Sequence, residues 1–398
     1  MMLCCLVLLV VQEWSEEQKQ AVETMRRTAD SVVEAVTALR RAGSLEGASK
    51  WVAKVDEVCN AVEKLLPGLA ETHWRRAQIR AAAMDDRKAA VELDALLKTE
   101  PSNSRARCLR AILFFRDGRK ALAAADLDAA LKEPKGLPDD VVAVASGLSA
   151  WLKGDATKAR KLLTGVEAND AIELLARLDV AENHLDAALD ALKAGIVRDR
   201  GYLPFLEARI AVHLASARAA SKESDREEAL GLAMEDVGTI LKLDPNRASA
   251  YVAQGDAMGL RAHKGAQLLP QFKVAVEHFS EALKRDPACI DALLGRANDQ
   301  GIIAAMIYDS DGEKAVSLFE AAEKDCTEAV RLQPERSDAW VTTACVHSNW
   351  ARRCSGEEAK KHWATALKAL ETAVKLDKGL EEKWTSLLAE CRTGADKK

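Results

Sequence analysis

The chain reads as an all-α array of antiparallel helix pairs, an α-solenoid, and three observations predict it. First, one helix-ending pattern recurs: Leu241-Lys242-Leu243-Asp244-Pro245, Leu283-Lys284-Arg285-Asp286-Pro287, Val330-Arg331-Leu332-Gln333-Pro334 and Val374-Lys375-Leu376-Asp377-Lys378. The closing positions 245, 287, 334 and 378 stand 42, 47 and 44 residues apart, and self-similarity at such a period marks a repeat architecture. Second, no segment sustains the period-two alternation of a strand. Third, the chain is 48% hydrophobic but only 4% aromatic, so its core must be built from Ala, Leu and Val, which let helices approach closely.

The N-terminal residues 1–11 are apolar throughout. The run is shorter than the roughly 20 residues a spanning helix needs. It also lacks the basic flank and small-residue cleavage site of an export signal. Three readings stay open: an export or anchor segment, the trimmed end of a longer transmembrane helix, or a buried N-terminal helix. Residues 1–14 therefore form the first segment.

Residues 15–70 read as a helical hairpin. Ser15 can cap the first helix, with Glu16 and Glu17 at its positive end. Val22, Met25, Ala29, Val32, Val33, Val36 and Leu39 make its apolar stripe, and Trp51, Val55, Val58, Val62 and Leu65 make that of the second helix. Residues 71–240 read as degenerate helix pairs, with Gly, Asp, Asn and Pro at the turns: 74–84 with 88–98, 105–115 with 120–132, 139–152 with 156–163, 171–181 with 185–193, and 203–220 with 227–241. Residues 241–398 carry the regular repeats and a polar capping helix at 380–391 with Glu381, Glu382, Lys383 and Glu390, followed by a frayed tail from Thr393.

In this last region Ala250, Tyr251, Gln254, Gly255, Asp256 and Ala257, with Ala275, Phe279, Ala282 and Pro287, fill a two-helix scheme of small and large residues. Ala297, Ala322, Cys326, Ala329 and Pro334 fill it again, then Trp340, Ala344, Ala366, Leu370 and Ala373. These residues resemble the tetratricopeptide repeat (TPR), a helix pair of about 34 residues. The resemblance covers roughly residues 71–392 and implies a right-handed solenoid. This chain departs from the family by extra residues between paired helices at 263–270, 307–313 and 352–358, expected to project from one edge or to lengthen the helices.

By that resemblance the groove of the array would be lined by Ser249, Val252 and Asp256, then Asp291, Leu294 and Asn298, then Asp338, Val341 and Cys345. No Lys is among them, so the carboxylate clamp of some family members is not expected. A mixed apolar, mildly acidic surface suits a helix or extended peptide with some basic character.

Chemistry-bearing patterns are sparse. With 57 basic and 62 acidic residues the net charge is −5, against the basic face a nucleic-acid binder needs, so no nucleic-acid partner is expected. Nine irregularly spaced cysteines without a C-x-x-C favour neither a zinc knuckle nor a disulfide framework, and suit a reducing compartment slightly better. His347 lies near Cys345 and His362 near Cys354, but no third ligand or orienting group stands out at helical spacing. His263 and His278 carry the same structural reading. Gly255-Asp-Ala-Met-Gly259 lacks the strand and Lys of a phosphate loop and reads as close helix packing. Asp309-Ser-Asp311 reads as a helix cap rather than a calcium loop. Trp340, Trp350, Trp363 and Trp384 read as core.

No catalytic, cofactor or metal residues are expected. The chain is read as a non-catalytic adaptor holding a protein or peptide in a concave groove. The alternative is a regulatory or sensor segment of a membrane-linked or exported bacterial assembly, attached through residues 1–11. Localisation is accordingly cytoplasmic, or membrane-anchored or exported through the apolar N-terminus. The bacterial source rests only on the Ala- and Arg-rich composition.

Overall fold

A computed structural model describes residues 14–134, 136–262 and 268–396. The apolar run 1–11 and His263 lie outside the described residues. Among the described residues the chain forms nineteen α-helices and no strand, as the repeat pattern requires. No described helix is long and apolar enough to cross a membrane.

The helices fall into two compact units. The first runs to Ser149 and takes back Asp199–Tyr202 from later in the chain; the second holds Ala150–Arg198 and the rest from Leu203. The first unit contains α1 (Glu16–Arg41), α2 (Ala48–Leu65), α3 (Ala70–Ala82), α4 (Asp86–Thr99), α5 (Ser104–Arg116), α6 (Lys120–Ala130) and most of α7 (Asp139–Leu152). Ser15 caps α1 in a capping box with Gln18, satisfying two N-terminal donors reciprocally. The α1 stripe is buried at Val22, Met25, Ala29, Val32 and Val36. In α2 the expected face is shifted: Val55, Cys59 and Val62 are buried, while Trp51 and Leu65 are both 37% exposed. At 100° per residue the buried Ala48, Val55, Cys59 and Val62 span an arc of about 60°, and Trp51 and Leu65 fall beyond its Val62 edge, on the rim.

Asp199–Tyr202 is clamped by one buried arginine. Arg40 donates from Nε (3.1 Å) and Nη2 (2.9 Å) to Asp199 Oδ2, and from Nη1 to the Ala82 carbonyl (3.2 Å). Its own carbonyl accepts from the Gly201 N–H at 2.8 Å. A Cβ on Gly201 would lie 2.6 Å from that carbonyl oxygen, so only glycine fits there.

The second unit continues with α8 (Ala156–Leu163), α9 (Asn169–Ala181), α10 (Leu185–Arg198), α11 (Leu203–Ala219), α12 (Glu223–Leu243), α13 (Ala248–Ala262), α14 (Leu268–Arg285), α15 (Ile290–Ile307), α16 (Gly312–Leu332), α17 (Ser337–Ala351), α18 (Gly356–Leu376) and α19 (Leu380–Asp396). From α9 on, each odd helix pairs with the following even one and each even helix packs on the next odd one. Successive odd helices also touch: α9 on α11, α11 on α13, α13 on α15, α15 on α17. Among the described residues no comparable packing joins successive even helices.

Small residues make the seams close. Phe279 is buried between Gly255 and Gly295, and a Cβ on Gly255 would come within 2.6 Å of its ring. Burying such a side chain stabilises by roughly 1.5–3 kcal/mol, so Gly255 is a packing residue, as its helical setting suggests. The insertion at 263–270 lies mostly outside the described residues; at the other two the added length is taken up largely in the helices, with only 308–311 and 352–355 separating α15 from α16 and α17 from α18. Ala315 and Phe319 are buried on the added turns of α16, so the insertion extends the apolar stripe instead of forming a loop. Asp311 caps α16, its Oδ1 accepting from the Lys314 N–H at 3.2 Å. The expected frayed tail is also corrected, because α19 runs to Asp396 and Gly394 is buried against the Trp363 ring.

One device escaped the sequence reading. Arg110, Arg209 and Arg296 each donate from Nε at 2.7 Å to Asp126, Asp236 and Asp325 on the paired helix. All three aspartates are buried. Bidentate arginine–carboxylate pairs are strong and directional, so each fixes the register of its hairpin.

Candidate functional site

The nine expected groove positions lie at i, i+3 and i+7 on α13, α15 and α17, hence on one face of each helix, and these three helices pack on one another in succession. Several are committed within the fold. Ser249 donates its hydroxyl to Glu207 Oε1 of α11 at 2.6 Å, beside Arg247, whose Nε donates to the same oxygen at 2.8 Å. Burial alone would raise the Glu207 pKa; Arg247, Ser249 and the nearby Arg177 outweigh it and bring the carboxyl down to about 2. Arg336, just before α17, bridges Asp291 of α15 and Asp338 of α17. Leu294 is buried, and Val252 and Val341 pack against core clusters. Cys345 is half-buried, and burial pushes its thiol up to about 11.

Asp256 and Asn298 differ. No hydrogen bond or ion pair within the described residues engages the Asp256 side chain. Asn298 Nδ2 donates to Asp299 Oδ1 at 3.1 Å. Asp299, which the sequence reading did not single out, is 4% exposed, and its Oδ2 has no hydrogen-bond partner among the described residues. That oxygen faces Gly259 of α13, one turn beyond Asp256. Burial raises Asp256 to about 6 and Asp299 to about 7. Arg218 opposes the first shift and the Asn298 hydrogen bond opposes the second. The charge of Asp256 adds to the Asp299 shift, so the two form a coupled acid pair. Asp299 stands next to Asn298, off the groove positions that the resemblance supplies. Two acids within electrostatic reach of each other on adjacent odd helices became visible only with the packing of α13 on α15.

The histidines meet each other instead of the cysteines nearest in sequence. His347 and His362 are buried with their Nδ1 atoms 3.0 Å apart. The Trp350 ring stacks on His362 at 4.0 Å and on Phe319 at 5.1 Å between centroids. Burial drops both imidazoles to about 4, helped by the charge of Lys361 at His347 and chiefly by His347 at His362. The third group that spacing did not reveal is Glu358: ligand atoms of Cys354, Glu358 and His362 lie within 4.8 Å of one another. A second metal-capable group, Asp179, Glu182 and His184, is already engaged by Arg160, which pairs with both acids. Burial raises the thiols of Cys59, Cys108 and Cys391 to about 11 and that of Cys326 to about 12, so these cysteines are protonated packing residues.

No family model matches the chain, and no curated protein matches it. Solved structures do. A human IFIT1 dimer with m7Gppp-AAAA aligns over 96% of this chain and 87% of its own, at 13% identity and a TM-score of 0.50. A thermophilic TPR protein of Thermus thermophilus aligns over 52% of this chain and 98% of its own, at 17% identity and 0.40. A tetratricopeptide repeat protein of Parabacteroides merdae aligns over 81% and 98%, at 13% and 0.40. At such identities the likeness concerns fold alone, and the near full-length IFIT1 alignment carries it. With the helix-pair periodicity and the strand-free, odd-on-even packing, it establishes the chain as an all-α solenoid of tetratricopeptide-like repeats.

Proposed function

We propose that this chain is a non-catalytic scaffold whose odd-helix face in the second unit holds a protein or peptide segment carrying a basic side chain. The observation that carries the reading is the Asp256–Asp299 pair: two carboxyl groups on adjacent odd helices, both raised by burial, one with an unpartnered oxygen. An arriving guanidinium or ammonium would ionise both acids, and charge-assisted hydrogen bonds in such a setting are about twice as strong as neutral ones. The closer approach of odd helices than of even ones favours the odd helices as the inner side of a curved array, the side on which repeat proteins bind extended partners.

The IFIT1 structure contains a capped oligonucleotide, which makes RNA the competing occupant. Acids and no Lys at the expected positions argue for a cationic partner. The test is crosslinking with mass spectrometry in the source cell, comparing the wild type with the double substitution Asp256→Arg and Asn298→Arg. Loss of crosslinks on α13 and α15, with the circular dichroism spectrum retained, is the expected result. Unchanged crosslinks would dismiss this face, and tight binding of m7Gppp-AAAA lost in the double variant would transfer it to RNA.

A further inference from the structure

We propose that Cys354, Glu358 and His362 form a binding site for a divalent transition-metal ion of the zinc type at the α17–α18 turn. Glu358 and His362 are four residues apart on α18, so their side chains project from one face one turn apart. Cys354 stands four residues earlier, in the connection 352–355, and reaches the same place; the ligand atoms of all three lie within 4.8 Å of one another. Ligands of a tetrahedral zinc ion stand about 3.5 Å apart, given Zn–S and Zn–N bonds of roughly 2.3 and 2.0 Å. Closure by at most about 1.3 Å is needed, and Glu358, exposed at the helix start, can supply it by a change of rotamer. One thiolate, one imidazole and one carboxylate make a borderline-soft set that suits zinc or cobalt(II) better than magnesium or calcium. The fourth position would be open to water or a further ligand.

The surroundings prepare the imidazole. His362 is buried, stacked under Trp350, and its Nδ1 faces His347 Nδ1 at 3.0 Å. Only one of these nitrogens can carry the hydrogen of that bond. If His362 donates, His347 keeps its own hydrogen on Nε2, which points to Glu323 of α16 at 3.6 Å. The Nε2 lone pair of His362 is then bare for a metal. Metal-bound histidines are usually oriented through their other ring nitrogen in this way, and loss of such a partner costs roughly 10–100-fold in affinity. Cys354 Sγ now donates to the Trp350 carbonyl at 3.3 Å and would release its proton on binding. Among the charged groups facing the site, Glu323 and Glu358 favour a cation and Lys361 opposes it. The aromatic wall of Phe319 and Trp350 shields the buried side.

The test is a titration of the metal-free, reduced full chain with cobalt(II) alone. The expected result is one equivalent bound with the visible bands of a tetrahedral ion and a thiolate-to-cobalt charge-transfer band, both displaced by zinc, and a change in Trp350 fluorescence. Cys354→Ser, in a connection and half-exposed, should abolish the charge-transfer band while leaving the metal-free unfolding midpoint in place. Glu358→Gln should weaken binding at least about tenfold, and Cys289→Ser should change nothing. A wild type that binds no cobalt through sulfur, or a Cys354→Ser variant that binds as the wild type does, would overturn the site.

Discussion

Two seams of the second unit hold carboxylates between odd helices, and they do opposite things with them. Between α11 and α13, Glu207 is held by Arg247 and Ser249, and its pKa falls to about 2. Between α13 and α15, Asp256 and Asp299 lie within electrostatic reach of each other, and theirs rise to about 6 and about 7. Burial pushes all three upward; a guanidinium in contact reverses the sign. The first seam is complete within the chain, whereas the second keeps its acids poised for a cationic group. Sequence position does not distinguish them, since Ser249 and Asp256 belong to the same helix face.

The largest expected effect breaks the completed seam. Arg247→Met should cost about 3–5 kcal/mol at pH 7, as removal of one partner of a buried pair does. In urea denaturation that cost should shrink as pH falls below 4 and Glu207 takes a proton. Next comes the open seam. The native chain holds a proton on Asp299 up to about pH 7, whereas the free side chain gives it up near 3.8. Between those values the folded state binds more protons than the unfolded one, so this acid's contribution is full below about pH 4 and fades as pH rises to 7. Glu207 tilts the other way: its contribution is full above its ordinary 4.5 and is lost as pH falls toward 2. Asp299→Asn should therefore flatten stability between pH 4 and 7 and stabilise at pH 8 by roughly 1–3 kcal/mol. Equal gains at pH 4 and pH 8 would show that its ionisation is not the cause.

Smaller effects sharpen the contrast. Ser249→Ala removes one hydrogen bond to a charged group and should cost about 1–2 kcal/mol by chemical denaturation at pH 7. Asp338→Asn loosens the Arg336 bridge, whose aspartates are more than half exposed. Such pairs are worth under about 1 kcal/mol, and the change should also weaken with added salt.

The helices and their turns were legible because both signals are local. The period of Val22, Met25, Ala29, Val32 and Val36 and the caps at Ser15 and Asp311 identified elements that fold as read. The α2 register was misread because Trp51 weighs heavily as a hydrophobe, yet a large ring can lie on the rim of a stripe built from the smaller Ala48, Val55, Cys59 and Val62. The nine groove positions fall on three helices that do pack in succession, but sequence could not show that Ser249, Leu294 and Asp338 already have internal partners. The spacing of Cys354, Glu358 and His362 was present to be read; an exposed glutamate at a helix start is so common that it carried no weight until the histidine's other nitrogen was found engaged.

By itself, the sequence determined that this protein is a stack of helix pairs, because apolar period, caps and small-residue seams act over a few turns of one segment. Only the tertiary structure decided which acids are paired, which glycines lie under aromatic rings, and which group engages the second nitrogen of His362. Those properties depend on groups far apart along the chain, such as Ser249 and Glu207 at a separation of 42 residues. Their energies follow distance and burial, which only the packed helices define.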